Sequence, residues 1–335
     1  GSKDGNTHTS YSGTLAWDVV NKELNMMTAE DYREVRLGWG DRGVDLGGND
    51  DWLDAVTRTG FTQQHTLTVS GGNERSNYRV SADYRKANGI DLRSSREEHG
   101  ARASVMHTTK GGLFTISLNV APRIIYRDNA DWGVFRNAIE ANPTTPIMDP
   151  ENPNMYYNFQ GQVVGSNPVE LMKLEKDHAD TKLLDWDGTL KLNLLPLLAK
   201  DGQSAHHLTT QVMFADHQYS NNNSWFRPST STQAVNNGYE GEASRSYSKE
   251  RQYVVEWLTN YNTHIDKHNI KAMVGYSYQY SQYSGFNAEN KDFPNDGLGS
   301  DNLGSGSLAK EEGEVLMGSY RNDSQLISFF GRVSY

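Results

Sequence analysis

The sequence contains no cysteine among its 335 residues, and this absence excludes disulfide scaffolds, cysteine-ligated zinc and thiol catalysis. Long apolar runs are missing as well. The longest nearly uninterrupted stretch is 192–199, whereas a membrane-spanning helix needs about 20 apolar residues. The first ten residues lack the basic start and apolar core of a signal peptide, so none is predicted. The chain carries 32 Lys and Arg against 42 Asp and Glu, a net charge of -10, which argues against binding to nucleic acid.

What the sequence does contain is a series of segments in which apolar and polar residues alternate, as in strands with different environments on their two faces. The alternation predicts ten strands. Their apolar stripes lie within 11–19, 61–69, 78–84, 101–105, 114–120, 184–194, 208–214, 253–261, 270–280 and 327–335. The opposite faces carry charges in mid-strand, among them Arg79, Asp83, Arg102, Asp185 and Lys191. Such a face must meet water.

Short and long connections between these strands alternate along the chain. Short links are predicted at 71–76 and 109–112, links of moderate length at 196–205 and 262–268, and long loops at 20–60, 87–99, 128–181, 220–250 and 285–322. Strands longer than ten residues, with tight turns at one end and extended loops at the other, are typical of outer-membrane barrels. Aromatic residues near strand ends, such as Trp17, Tyr84, Trp257 and Tyr335, agree with interfacial girdles. The predicted fold class is therefore all-β, an antiparallel transmembrane β-barrel of about ten strands with long, helix-containing extracellular loops.

The long loops contain local structure and clustered aromatic residues. Helices are predicted after Thr28 as N-cap and over about 131–140 and 168–175. Flat rings beside amide side chains can stack on sugar faces or pack on peptide groups, which makes the following residues candidate substrate contacts: Tyr156, Tyr157, Phe159, Trp225 and Phe226. The alternative, that these rings fold their own loops or contact a partner, stays open at this point.

Residues 51–72, DWLDAVTRTGFTQQHTLTVSGG, run on into Asn77-Tyr78-Arg79 and Gly89-Ile90. This series resembles the early barrel of SusC/RagA-type TonB-dependent outer-membrane transporters, and 131–146, DWGVFRNAIEANPTTP, is similar to a later loop of the same family. The resemblance covers the whole chain, 1–335. It implies active import of oligosaccharides or peptides across the outer membrane of a Gram-negative bacterium, driven through TonB, with a SusD-like surface lipoprotein as partner.

The sequence departs from that family in one respect. Family members carry a plug domain and a TonB-contacting segment, and neither is visible in this sequence. Plugged transporter barrels have about 22 strands, so ten strands correspond to roughly the first half of a barrel. The expectation is a barrel portion embedded in outer-membrane lipid, which alone neither couples to TonB nor closes a full pore.

No enzymatic activity, cofactor or metal site is predicted. His264 and His268 have the spacing of helical metal ligands but lie in a strand turn, without a third ligand. Asp185 and Asp187 share a strand face, where neighbouring Lys191 favours a polar wall over an acid pair for glycoside hydrolysis. The oxygen-rich stretches 149–154 and 292–296 lack the twelve-residue calcium-loop pattern, and no P-loop, Rossmann or nucleophile-elbow signature is present.

Two other architectures remain open from the residues alone. A secreted soluble all-β domain that binds or cleaves carbohydrate would bury its apolar stripes, including Trp186, Trp257 and Tyr276, against another layer of the same chain. A self-contained ten-stranded barrel would pair 11–19 with 327–335, because even strand numbers can close.

Overall fold

The computed structural model describes residues 5–21, 25–36, 44–162, 164–195, 205–307 and 317–335. Ten strands account for most of these residues: β1 His8–Asp18, β2 Gly60–Gly72, β3 Ser76–Asn88, β4 Ser95–Thr108, β5 Phe114–Asp128, β6 Lys176–Asn193, β7 His206–Arg227, β8 Glu242–Ile265, β9 His268–Lys291 and β10 Met317–Ser334. The period of two in the sequence predicted these strands correctly in number and order.

The strands form one sheet in which each strand pairs antiparallel with the next along the chain. β1 and β10 are the two edges, and within the described ranges they do not pair with each other. The sheet is therefore open, and the alternative of a self-contained ten-stranded barrel is wrong for this structure.

The sheet has one apolar and one polar face, because the register aligns the apolar stripes of neighbouring strands. Tyr78 pairs with Val105 and Val105 with Leu118, and the same alignment continues through the remaining strands. Among the residues that the structure describes, no second layer covers this apolar face. Trp257 is 41% exposed, and Trp186 and Tyr276 are half-buried. The closed apolar core expected of a soluble sandwich is not found among the described residues.

Rings and histidines line both ends of the apolar face. At the short-turn end, the Tyr261 hydroxyl lies 2.7 Å from Nδ1 of His206, and the Tyr335 hydroxyl lies 2.7 Å from Nδ1 of His268. Towards the long-loop end, a row of rings crosses five strands with centroid separations of 6.1, 6.4, 5.1 and 6.3 Å: Tyr11, His65, Tyr84, His99 and Tyr126. At both ends the apolar band is therefore bordered by tyrosine and histidine, whose rings carry a polar group.

The predicted asymmetry between turns and loops is present, although several loop bounds were wrong. The links at one end are 73–75, 109–113 and 266–267, whereas the predicted link 196–205 lies mostly outside the described residues. At the other end the links are 19–59, 89–94, 129–175, 228–241 and 292–316. The predicted loops 87–99, 220–250 and 285–322 were too long, because β3, β4, β7, β8, β9 and β10 all run into them.

Short helices occupy the long loops, as predicted: α1 Ala29–Arg36, α2 Trp52–Ala55, α3 Gly133–Glu140, α4 Pro168–Leu174 and α5 Thr232–Asn237. Thr28 caps α1 as expected. Its Oγ1 accepts from the backbone N–H of Asp31 at 3.1 Å, while Oδ2 of Asp31 accepts from the backbone N–H of Thr28 at 3.1 Å. The sequence did not predict α2 or α5. In the part of the chain that the structure describes, every helix is too short or too polar to cross a bilayer.

Candidate functional site

The long loops build a layer with its own hydrophobic core at one end of the sheet. Helices α2, α3 and α4 meet there, together with the segment around Phe159. The buried members are Trp52, Val56, Val134, Ala138, Ala141, Phe159, Val164, Val169, Leu171 and Met172. Loops with a closed core hold their surface side chains in fixed positions, so this layer can act as a preformed binding surface.

A buried carboxylate joins two of these loops. Glu170, in the first turn of α4, is fully buried, and its Oε1 accepts from the backbone N–H of Thr232 at 2.6 Å. Its second oxygen accepts from the Thr232 hydroxyl. Thr232 is the first residue of α5, so one side chain of the 129–175 loop caps the helix of the 228–241 loop. Burial raises the pKa of Glu170 above its ordinary value, and the Thr232 hydrogen bonds offset part of that rise.

Of the three predicted aromatic contacts in the 129–175 loop, one is unsuitable. Phe159 has no exposed surface and packs edge-on against Trp52, with ring centroids 5.4 Å apart. It therefore presents no ring face to a ligand and serves the loop core. Tyr156 and Tyr157 are half-buried and pack against the same core from its edge. Tyr157 also lines a cleft of about 680 Å³, together with Tyr32, Asn142, Asn158 and Gln162.

Of the two predicted contacts at the end of β7, Trp225 and Phe226, only one keeps accessible ring surface. Phe226 is 5% exposed and packs with Ala243 and Phe293, so it too is a core residue and not a ligand contact. Trp225 is half-buried, on the polar face of the sheet, and the Arg227 guanidinium carbon lies 4.9 Å from its ring centroid. Tyr156, Tyr157 and Trp225 therefore keep accessible ring surface, and Phe159 and Phe226 do not.

The polar face carries a charge network at its long-loop end that the sequence analysis missed. Glu98 is 6% exposed. Its carboxylate forms ion pairs with three arginines: with Nε of Arg96 at 2.6 Å, Nη1 of Arg123 at 2.8 Å and Nη1 of Arg85 at 3.3 Å. Arg123 also bonds Asp83, with 3.0 Å between Nη2 and Oδ2. Alternation places all five residues on one face, but only the register brings them together.

Gly100 makes the contact between Asp83 and Arg123 possible. It lies between them in register on β4, and a Cβ at this position would stand 2.6 Å from Oδ1 of Asp83 and 2.9 Å from Nη2 of Arg123. The missing side chain leaves the gap that this ion pair fills.

A cavity of about 330 Å³ opens beside this network, where the polar face meets the start of the 129–175 loop. Arg85, Arg96, Arg127 and Trp132 are among its lining residues. The Trp132 side chain is 77% exposed, and Nε of Arg127 is buried with no hydrogen-bond partner among the described residues. Exposed rings and unused donors are groups that can contact a polar substrate.

The histidine and carboxylate motifs weighed from the sequence do not form metal sites. His264 and His268 lie on opposite faces of the β8–β9 hairpin, because Ile265 and not His264 pairs with His268. Asp187 accepts from the Asn119 amide at 2.9 Å, and Asp185 from His217, as expected for a polar wall. Within the described ranges, no cluster of His, Asp and Glu could hold a metal ion.

Comparison with known proteins supports the transporter resemblance. The chain is 24% identical over 340 residues to a TonB-dependent receptor P3 of Formosa agariphila, matching 98% of this chain and 31% of that protein. It is 23% identical over 377 residues to the TonB-dependent receptor SusC of Bacteroides thetaiotaomicron, matching 97% of this chain and 33% of that protein. The chain thus spans about a third of the length of these curated relatives. No protein-family model matches it.

Solved structures show the same fold. The RagAB peptide importer superposes on 99% of this chain in its closed-closed state with a TM-score of 0.78, and in its open-open state with a TM-score of 0.79. The identity is 16% in both comparisons, and the match covers 40% of each solved chain. With the strand architecture described above, these matches show that the chain shares the fold of the matched part of the RagAB importer and resembles TonB-dependent receptors of the SusC/RagA type in sequence.

Proposed function

We propose that this chain forms part of an outer-membrane importer that takes up oligosaccharides or peptides with energy from TonB. One observation carries the proposal: an uncovered apolar band, bordered by rings at both ends, lies on the face opposite a charged wall. A bilayer is a favourable environment for the apolar band, and a water-filled lumen solvates the charged wall.

The position of the rings supports a tilted barrel wall. Tyr78 on β3 is connected through the strand register, across five strand spacings, to Val255 on β8. Val255 precedes Tyr261 by six residues on the same strand. Six residues correspond to about 20 Å along a strand, and five spacings to about 24 Å across the sheet. If Tyr78 and Tyr261 mark one membrane interface, the strands tilt by about 40°, within the range of roughly 35–45° for outer-membrane barrels.

The polar face suits the passage of a hydrophilic substrate. Near its long-loop end Glu98 and Asp83 pair with three arginines, so part of the positive charge is neutralised and the wall offers many hydrogen bonds. We place the first substrate contacts at Tyr156, Tyr157 and Trp225, where accessible rings lie near amide side chains.

The outer surface of the loop layer suits a protein partner. Several of its apolar side chains are more than half exposed although the layer beneath them is closed: Val44 57%, Trp132 77%, Val235 54% and Leu298 58%. Exposed apolar groups on ordered loops are typical of interaction surfaces. We assign this surface to a SusD-like lipoprotein that covers the lumen. Coupling to TonB would require a plug segment outside residues 1–335.

The experiment compares uptake and partner binding in cells that express the complete receptor. Labelled peptide and oligosaccharide mixtures should accumulate only when the receptor, the neighbouring lipoprotein and TonB are all present. Replacing Trp132 by Ser should reduce co-purification of the lipoprotein. Trp17→Ser is the matched control, because Trp17 is 64% exposed but lies on the apolar face of β1. Uptake that persists without TonB, or equal loss of the partner in both variants, would contradict the proposal.

A further inference from the structure

Two lysines on the apolar side of the sheet lack acidic partners. Lys182 of β6 pairs with Ser220 of β7, which pairs with Lys249 of β8, so all three side chains emerge from one face in one row. Neither lysine forms an ion pair with any residue that the structure describes. Two strand spacings separate their backbones by about 10 Å, and the Ser220 hydroxyl lies between them.

The row stands just beyond the apolar band. The last apolar residues below it are Leu184 on β6 and Tyr253 on β8, two and four positions away along their strands. At about 3.3 Å per residue, the lysine backbones lie roughly 7 and 13 Å beyond the band, before any correction for strand tilt. Lipid headgroups occupy the layer immediately outside the hydrocarbon, and long lysine side chains reach into it.

A third cation, Arg251, belongs to the same patch, and its acidic partner is buried. Arg251 lies beside Lys249 on the same face of β8 and is paired with Asp216, at 3.0 Å between Nε and Oδ1. The Asp216 side chain is 1% exposed, and its negative charge is neutralised by Arg251. The nearest other acid on this face of β6, Asp180, is paired with His178, at 2.9 Å between Oδ1 and Nε2. The two lysines therefore remain the unpaired charges of the patch.

We propose that Lys182, Ser220, Lys249 and Arg251 bind the phosphate group of a lipid in the outer leaflet. This inference rests on the proposed membrane location. The lysines supply charge, the serine hydroxyl supplies a short donor between them, and the acyl chains lie on the apolar band below. A bound lipid of this kind holds the β6–β8 wall at a fixed depth in the membrane.

The test uses the complete receptor in neutral detergent and diphosphorylated lipid A as the probe, with lipid A stripped of phosphate for comparison. Bound lipid is counted by native mass spectrometry. Removing both ammonium groups in Lys182→Gln/Lys249→Gln should weaken binding of the phosphorylated lipid about fivefold for each lysine. The matched control is Lys191→Gln/Lys271→Gln, which removes two lysines from the polar face of the same sheet.

Equal weakening in the two double variants, or equal affinity for the phosphorylated and stripped lipids, would overturn the inference. Displacement of the lipid by millimolar inorganic phosphate would also overturn it, because the site would then take a free anion. Membrane insertion is checked separately by the shift in gel mobility on heating. A receptor that inserts but shows no lipid preference refutes only the headgroup site, whereas one that fails to insert refutes the proposed function.

Discussion

Placing one arginine on each face of β5 provides the most direct test of which face meets lipid. Leu118 and Ser117 are consecutive, so their side chains lie on opposite faces. Leu118 is 45% exposed, well inside the apolar band, between Val105 and Gly188 in register. Ser117 lies on the polar face opposite Thr189.

Leu118→Arg should cost about 1–3 kcal/mol, because a guanidinium on the lipid face loses its hydration and Leu118 lies between the interface marked by Tyr78 and the bilayer centre. Ser117→Arg should cost less than about 1 kcal/mol, because the same group projects into water. Both variants introduce the same residue at neighbouring positions of one strand, so the change in net charge is the same in the two proteins. Folded fractions in lipid vesicles over a urea series give the two free energies of folding. Equal costs, or a larger cost for Ser117→Arg, would refute the assignment of the faces.

The remaining predictions concern the charge network and the loop layer. Gly100→Ala should destabilise the folded receptor by about 1–3 kcal/mol in the same urea series, because the new Cβ displaces the ion pair that crosses β4; Gly188→Ala, where a Cβ meets nothing closer than 3.9 Å, should be tolerated. The raised pKa of Glu170 makes the loop layer more stable in acid: the gain is complete below the ordinary value of 4.5 and is lost as pH rises through the raised value. Hydrogen exchange over 228–241 should lose that pH dependence in Glu170→Gln, and its persistence would assign the effect to another group. Phe159→Ala should open the layer to proteases at a cost of about 3–5 kcal/mol, whereas Tyr156→Ala should not.

The strands and their faces were readable from the sequence because the two faces differ in composition. That signal failed where the strands extend beyond the apolar band. In β7, Asn221, Asn222 and Asn223 are polar on both faces, so the period of two disappears and the sequence predicts a loop. The backbone still pairs on both sides, with β6 and β8, and this pairing holds the segment extended. Backbone hydrogen bonds carry no sequence signature of this kind.

The candidate site was less predictable, because its contacts depend on register and on long-range packing. Alternation identifies the face of Glu98 and of its arginine partners, but the residue that each one meets follows only from the pairing of β3, β4 and β5. The contact between Glu170 and Thr232 joins residues 62 positions apart in two loops, without a repeating pattern. The burial of Phe159 and Phe226 could not be read from composition, because aromatic residues among amides occur both in loop cores and at ligand surfaces.

The two parts of this chain are built for different solvents. The loop layer closes an apolar core around Val134 and Phe159, as in any small domain. The sheet does the opposite: its apolar side chains form a continuous face that water would penalise and that would associate with other copies. The change from one construction to the other occurs at the row of rings formed by Trp186, Phe214 and Tyr253, with centroids 4.9 and 6.1 Å apart. Below this row the side chains are apolar, and above it on the same strands stand Lys182 and Lys249, so the boundary between the apolar and the charged part of this face lies within each strand.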